Sequence, residues 1–202
     1  MKSAVTILFG VFIVSIAPKA LSDTSAVAEM CDGCHGKNGI SEWQDMPTIA
    51  GIDAFVHSDA LFIYRDAARP CATVEYRQGD TARGPTNMCE VAKSMSDDEI
   101  EAIAEHYAAL PFVAAKQEFD VGLAKTGEGI HSRACSRCHS AGGSDPADEA
   151  SILAGQWMGY LESTFAEYAS GDRDQPDKMK VKMDELSADD VKALLHYYAS
   201  QQ

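Results

Sequence analysis

Two short stretches of this 202-residue chain carry its chemistry: Cys31-Asp32-Gly33-Cys34-His35 and Cys135-Ser136-Arg137-Cys138-His139. Both read C-x-x-C-H, the spacing of c-type haem attachment. Two thiols on one helical turn can reach the two vinyl groups of a single porphyrin, and the adjoining histidine then points at the iron from the same side. A thioredoxin-like redox pair or a zinc site are the alternatives. A redox pair has no need of the histidine, and the chain lacks the βαβ pattern of that fold. A four-cysteine zinc site would leave two histidines at identical offsets unexplained. Cys31, Cys34, Cys135 and Cys138 are therefore expected to bind two haems covalently, with His35 and His139 as one axial iron ligand each.

The second axial ligand should be a Met or His from the far half of each unit. Among eight methionines, Met88 and Met179 occupy equivalent places, each eight residues before a helix-capping serine, Ser96 and Ser187. They are expected to be the distal ligands, although a core role is the commoner fate of methionine. Met46, Met95 and Met183 compete; Met95 aligns with Leu186 and Met183 with Ala92, which indicates packing. His/Met ligation raises the potential and fills both axial positions. Such a chain transfers electrons and is not expected to be catalytic by itself.

The remaining cysteines are Cys71 and Cys89. In an oxidising compartment an even leftover pair is most simply a disulfide. The sharper alternative is that Cys89, beside Met88, ligates the first haem as thiolate. Tyr64, Tyr168, Arg69, Arg173 and Trp157 are candidates for haem propionates. Pro47 can offer its carbonyl to the ring N–H of His35; the carbonyl of its counterpart Ser151 can do the same for His139. The other histidines (His57, His106, His131, His196) have no matched partner and read as surface or packing residues.

These residues sit within a repeat. The motifs lie 104 positions apart, as do Ala50-Gly51 and Ala154-Gly155, Tyr64 and Tyr168, Arg69 and Arg173. Later pairs, Met88 with Met179, Ser96 with Ser187 and Tyr107 with Tyr198, lie 91 apart. One drop in offset means two homologous units with a single insertion in the first, at about 70–87. Two copies of this length are a domain duplication, not a solenoid. The expected fold is all-α: two tandem cytochrome c-type domains, 23–112 and 113–202, each around one haem. Helices are expected over Thr24–Cys34, Asp53–Ala67, Phe119–Cys138 and Trp157–Ala169, with a last helix in each unit after a Ser-x-Asp cap. Ser96 with Glu99 forms a capping box, and Ser187 with Asp190 a weaker one. The linker is short, roughly Phe112 to Gln117.

Residues 1–22 read as a secretory signal peptide: a basic start at Lys2, an uncharged apolar run from Ala4 to Ile16, and small residues before cleavage near Ser22. The run is short for a membrane span, and no later segment is apolar enough, so an exported, periplasmic protein is expected. The formal net charge is −14. Acidity of this size argues against nucleic acid and fits either plain solubility or a partner with a basic docking face.

Met30 to Gly39, then Pro47-Thr48-Ile49-Ala50-Gly51 and the late Met-x₆-Met/Leu-Ser-x-Asp, resemble the dihaem cytochrome c4 family over nearly the whole mature chain. The second half, through Lys116–Asp120, Leu123–Gly127, Gly142-Gly143 with Pro146-Ala147-Asp148, Ile152–Trp157 and the ending Tyr198–Gln202, looks like the cytochrome subunit of flavocytochrome c sulfide dehydrogenase. That resemblance implies an FAD-containing partner subunit that oxidises sulfide and a soluble cytochrome c as acceptor. A free-standing c4-type carrier, or the haem subunit of another sulfur-compound dehydrogenase such as one acting on thiosulfate, are the alternatives. The insertion with Cys71 and Cys89 is unlike the simple c4 layout.

Overall fold

The structure is a computed structural model, and it describes residues 24–202; the signal peptide expected at 1–22 lies outside the described residues. The described chain is helical, with a single isolated antiparallel bridge between Val74 and Thr86. The helices are α1 (Ser25–His35), α2 (Ala54–Arg65), α3 (Met88–Lys93), α4 (Asp97–Ala108), α5 (Val121–Ala134), α6 (Met158–Ser170), α7 (Asp177–Met183) and α8 (Ala188–Ala199).

Local chemistry sets most of the helix starts. Asp53, Asn87 and Asp120 cap α2, α3 and α5 by accepting from the backbone N–H two or three residues on, which satisfies donors that have no partner inside the helix. Ser96 with Glu99 and Ser187 with Asp190 both form complete capping boxes. The box at Ser187, expected to be the weaker, is closed as fully as the first: Asp190 Oδ2 accepts from the Ser187 N–H at 3.0 Å. The shorter carboxylate still reaches.

Two core clusters follow the repeat. Ala28, Met95, Ile100, Ile103 and Tyr107 form the first. Ile130, Leu161, Leu194, Leu195 and Tyr198 lead the second. Met95 is buried in the first core, as its alignment with Leu186 indicated. In the second unit α5 lies directly on α8, and Gly127 makes the approach possible. A Cβ there would overlap the carbonyl of Ala193 and lie 2.7 Å from Tyr197 Cβ.

The recurring Ala-Gly pairs have one structural job. Gly51 and Gly155 take φ of 73° and 71°, the left-handed region that favours glycine. Each donates its N–H to the carbonyl of the tyrosine in the last helix of its unit, Gly51 to Tyr107 at 2.9 Å and Gly155 to Tyr198 at 2.8 Å. The loop after each motif is thereby tied to α4 or α8.

The units are joined by specific bonds. Trp157 Nε1 donates to the Ser41 carbonyl at 2.8 Å, and the Tyr160 N–H donates to the Gln44 carbonyl at 2.8 Å. The linker is fastened too, with the Ala115 N–H on the Gly155 carbonyl and Gln117 Nε2 on that of Gln156.

Candidate haem sites

Cys31, Cys34 and His35 lie on the last turn of α1. Three in-line positions on one turn bring the two thiols and the imidazole to one side of the helix end. They open onto a cavity of about 360 Å³. Pro47, Met88, Tyr64 and Arg69 line the same cavity. Met88 is the first residue of α3, directly after the Asn87 cap. The cavity thus brings together the sequence-predicted thiols, imidazole and thioether of the first unit.

The chemistry of each group suits a covalently held haem. Burial pushes the Cys31 thiol up to about 12, and the Cys34 thiol also rises by burial. Burial lowers the pKa of His35, so the ring is neutral, and its Nδ1 lies 3.0 Å from the Pro47 carbonyl oxygen. With Nδ1–H donated there, Nε2 keeps its lone pair for a metal, the arrangement by which an outer partner fixes a ligand's tautomer. Asp32 closes the motif loop: its carboxylate accepts from Asn38 and Gly39 N–H groups and from the Tyr107 hydroxyl at 2.8 Å. Sequence reasoning passed over Asp32, because any residue fits the variable place of the motif.

Buried polar atoms without partners provide the test of fit. Arg69 is 8% exposed and its Nε has no partner. Arg173 Nη1 is likewise unpartnered by hydrogen bonds, though Glu167 lies 3.8 Å away. Each guanidinium stacks on the tyrosine of its own unit: Arg69 over Tyr64 at 4.2 Å, Arg173 over Tyr168 at 4.6 Å. Arg69, Tyr160, Glu167 and Arg173 all face the cavity. A buried donor without an acceptor is costly, and carboxylates of a haem would answer Arg69 Nε and Arg173 Nη1. Neither Tyr160 nor Glu167 is legible from the repeat as a cavity residue, since their counterparts Val56 and Ile63 break it. Trp157 does not join this group; its indole N–H serves the contact with Ser41.

The second unit departs from the first. Helix α5 ends at Ala134, short of the expected Cys138, and residues 135–139 form turns closed by Cys138 and His139 N–H groups on the Cys135 carbonyl. Gly129 and the buried His131 occupy the run before the motif, and His131 Nδ1 lies 3.1 Å from the Tyr198 hydroxyl. Ser151 does not accept from His139. It is exposed, and His139 Nδ1 is buried with no partner. Burial lowers the pKa of His139 as it does that of His35. Cys135 is half-buried against the second core, its thiol raised by burial, while Cys138 is exposed. Met179 is half-buried on α7.

Cys71 and Cys89 are bonded to each other, with Cα atoms 5.9 Å apart. Their sulfurs being joined, Cys89 is not a free thiolate for iron in this structure. Among the described residues no three His, Cys, Asp or Glu side chains converge as a metal site. No helix among them is long and apolar enough to cross a membrane.

No family model matches the chain. The structure superposes on reduced cytochrome c4 from Pseudomonas stutzeri with a TM-score of 0.71, at 22% identity, over 89% of this chain and 96% of that one. The fold is that of cytochrome c4. A structure of thiosulfate dehydrogenase TsdBA from Marichromatium purpuratum aligns with a TM-score of 0.68 at 23% identity, covering 90% of this chain and 39% of that one. In sequence, the chain is 26% identical over 188 residues to a thiosulfate dehydrogenase electron acceptor of Stutzerimonas stutzeri, covering 86% of this chain and 79% of the relative.

Proposed function

We propose that this chain is an exported dihaem c-type electron carrier that accepts electrons from a dehydrogenase acting on thiosulfate and passes them to a soluble cytochrome c. The likeness over most of its length to a thiosulfate dehydrogenase electron acceptor carries the choice of donor. Cys31 and Cys34 hold one haem in the 23–112 domain, Cys135 and Cys138 the other in 113–202. His35 with Met88, and His139 with Met179, would hold the two irons. A c-type haem held this way supplies a one-electron iron couple. The protein's part is to exclude water, fix the His35 tautomer through Pro47 and place buried arginines beside the propionates. With two protein groups on each iron, a substrate would find no open site there, so the oxidation of the sulfur compound is assigned to the partner. Export to the periplasm follows from the leader-like residues 1–22.

A second reading makes the donor an FAD subunit that oxidises sulfide. The second-half segments Ile152–Trp157 and Tyr198–Gln202 favour it. Protein purified untagged from its host distinguishes the two. Reduction by thiosulfate through a co-purifying flavin-free dehydrogenase supports the first. Co-elution of flavin with rapid reduction by sulfide supports the second and overturns the first.

A further inference from the structure

The two attachment motifs differ in what covers them. In the first unit the insertion folds back over the end of α1. Arg77 and Gln78 both donate their N–H to the Gly33 carbonyl, at 2.8 and 3.2 Å, and Gln78 Nε2 donates to that of Asp32 at 2.7 Å. The Tyr76 ring lies on Gly33 so closely that a Cβ there would be 2.6 Å from its Cδ1. Arg83 covers the outer face of that ring at 5.5 Å. Arg77 clasps Asp45 with two bonds of 2.7 and 2.6 Å and stacks on Trp43. The Val74–Thr86 bridge and the Cys71–Cys89 bond close the base. Under this cover Cys34 is 8% exposed.

The second unit has no such segment, and Ser132, Arg133, Ser136, Arg137 and Cys138 are exposed together. The local charge also differs. Residues 128–144 carry Arg133 and Arg137 against the carboxylate Glu128, in a chain of net charge −14, with Asp190 of α8 within electrostatic reach of Arg133. The stretch that matches it at the offset of 104, residues 24–40, carries Lys37 against Glu29 and Asp32.

We propose that residues 70–87 close the first unit's attachment edge to protein partners, so that exchange with them runs through the second unit, at the face around Cys138, onto a redox protein that presents carboxylates to Arg133 and Arg137. A haem bonded to these cysteines would have an edge beside each sulfur, so the exposure of the sulfurs would set how near that edge comes to a partner, and electron tunnelling falls off steeply with distance. A buried Cys34 and an exposed Cys138 therefore make unequal ports. Each encounter moves one electron, one side being oxidised as the other is reduced, and no bond forms or breaks. The first unit is then charged and discharged internally, across the cavity that Arg69 and Tyr160 share. This rests on the two-haem reading but not on the identity of the donor.

The experiment is stopped-flow oxidation of the reduced holoprotein by ferricyanide, an anion standing in for the carboxylate-bearing partner. Pyridine haemochrome assay first establishes two haems per chain; a lower number overturns the two-haem reading and the proposal with it. Arg133→Glu with Arg137→Glu should slow the second-order rate roughly tenfold at low ionic strength and rejoin wild type in high salt, where exposed charges are screened. Arg83→Glu on the cover should leave the rate unchanged. Backbone hydrogen exchange gives the second readout. Amides 31–35, 77 and 78 should be protected in wild type and released in Tyr76→Ala, which should also gain a faster oxidation phase. Equal slowing by Arg83→Glu, or no effect at Arg133 and Arg137, overturns the proposal.

Discussion

Gln156 holds Thr48 in both directions: its Oε1 accepts from the Thr48 N–H at 2.9 Å, and its Nε2 donates to the Thr48 carbonyl at 2.9 Å. Both residues are 1% exposed. One amide side chain thus replaces two backbone partners across the contact between the units. Gln156→Ala leaves two donors, the Thr48 and Trp157 N–H groups, and one acceptor, the Thr48 carbonyl, buried without partners, at about 1–3 kcal/mol for each group. Thermal unfolding followed by circular dichroism should show a clear drop in Tm. Gln156→Glu replaces the donor by a buried carboxylate oxygen that faces the Thr48 carbonyl; protonation removes the charge and restores an O–H, so its loss should shrink in acid. A Gln156→Ala protein as stable as wild type would show that the units are held by other means.

Gly127→Ala should destabilise the second unit by roughly 1–3 kcal/mol, the usual cost of overpacking. The new methyl meets the Ala193 carbonyl, which is backbone and cannot turn aside. Helices α5 and α8 must separate. Differential scanning calorimetry should show the second unit melting first, while Gly129→Ala, whose Cβ meets only the end of Arg133 at 3.6 Å, should leave the Tm within a degree or two or raise it slightly.

Opening the Cys71–Cys89 bond should cost about 3 kcal/mol in the chain-entropy model, because it closes a separation of 18 residues. The double change Cys71→Ser and Cys89→Ser should lower the unfolding midpoint in urea accordingly. Reductant should lower the wild-type midpoint to that of the double variant and leave the variant unmoved. Equal sensitivity of both proteins to reductant would place the effect elsewhere.

Much of this architecture is legible in the residues. Spacing fixes the two attachment turns, and the two offsets locate the insertion, because duplication keeps the register of buried positions. The caps at Ser96 and Ser187 are readable because a cap is a local device. What escapes is whatever depends on contacts distant in sequence. Nothing near Gln156 announces that its partner is Thr48, 108 residues away. Gly127 reads as one small residue in a helix until α8 is placed against it. The end of α5 at Ala134 is missed because the apolar pattern continues while the motif turns instead. Helix α7 is missed because seven charged and mixed residues give no strong period. Asp32 and Tyr76 are silent for the same reason: one sits at a variable position, the other in an insertion with no counterpart to compare.

The ligand assignment is testable by opening the iron. Met88 and His35 line one cavity, and Met179 matches Met88 at the offset of 91. Removing a thioether ligand frees a site for a small neutral molecule. Met88→Ala and Met179→Ala should each allow one haem per chain of the ferrous protein to bind carbon monoxide, and the double variant two, while wild type binds none. The Soret band reports this directly. The potential of the opened haem should fall, because the thioether that favours ferrous iron has gone. Met46→Ala is the control that separates ligation from packing. It is buried and lines the same cavity, so it should lower stability without admitting carbon monoxide. If Met46→Ala opens the first haem and Met88→Ala does not, the ligand is Met46.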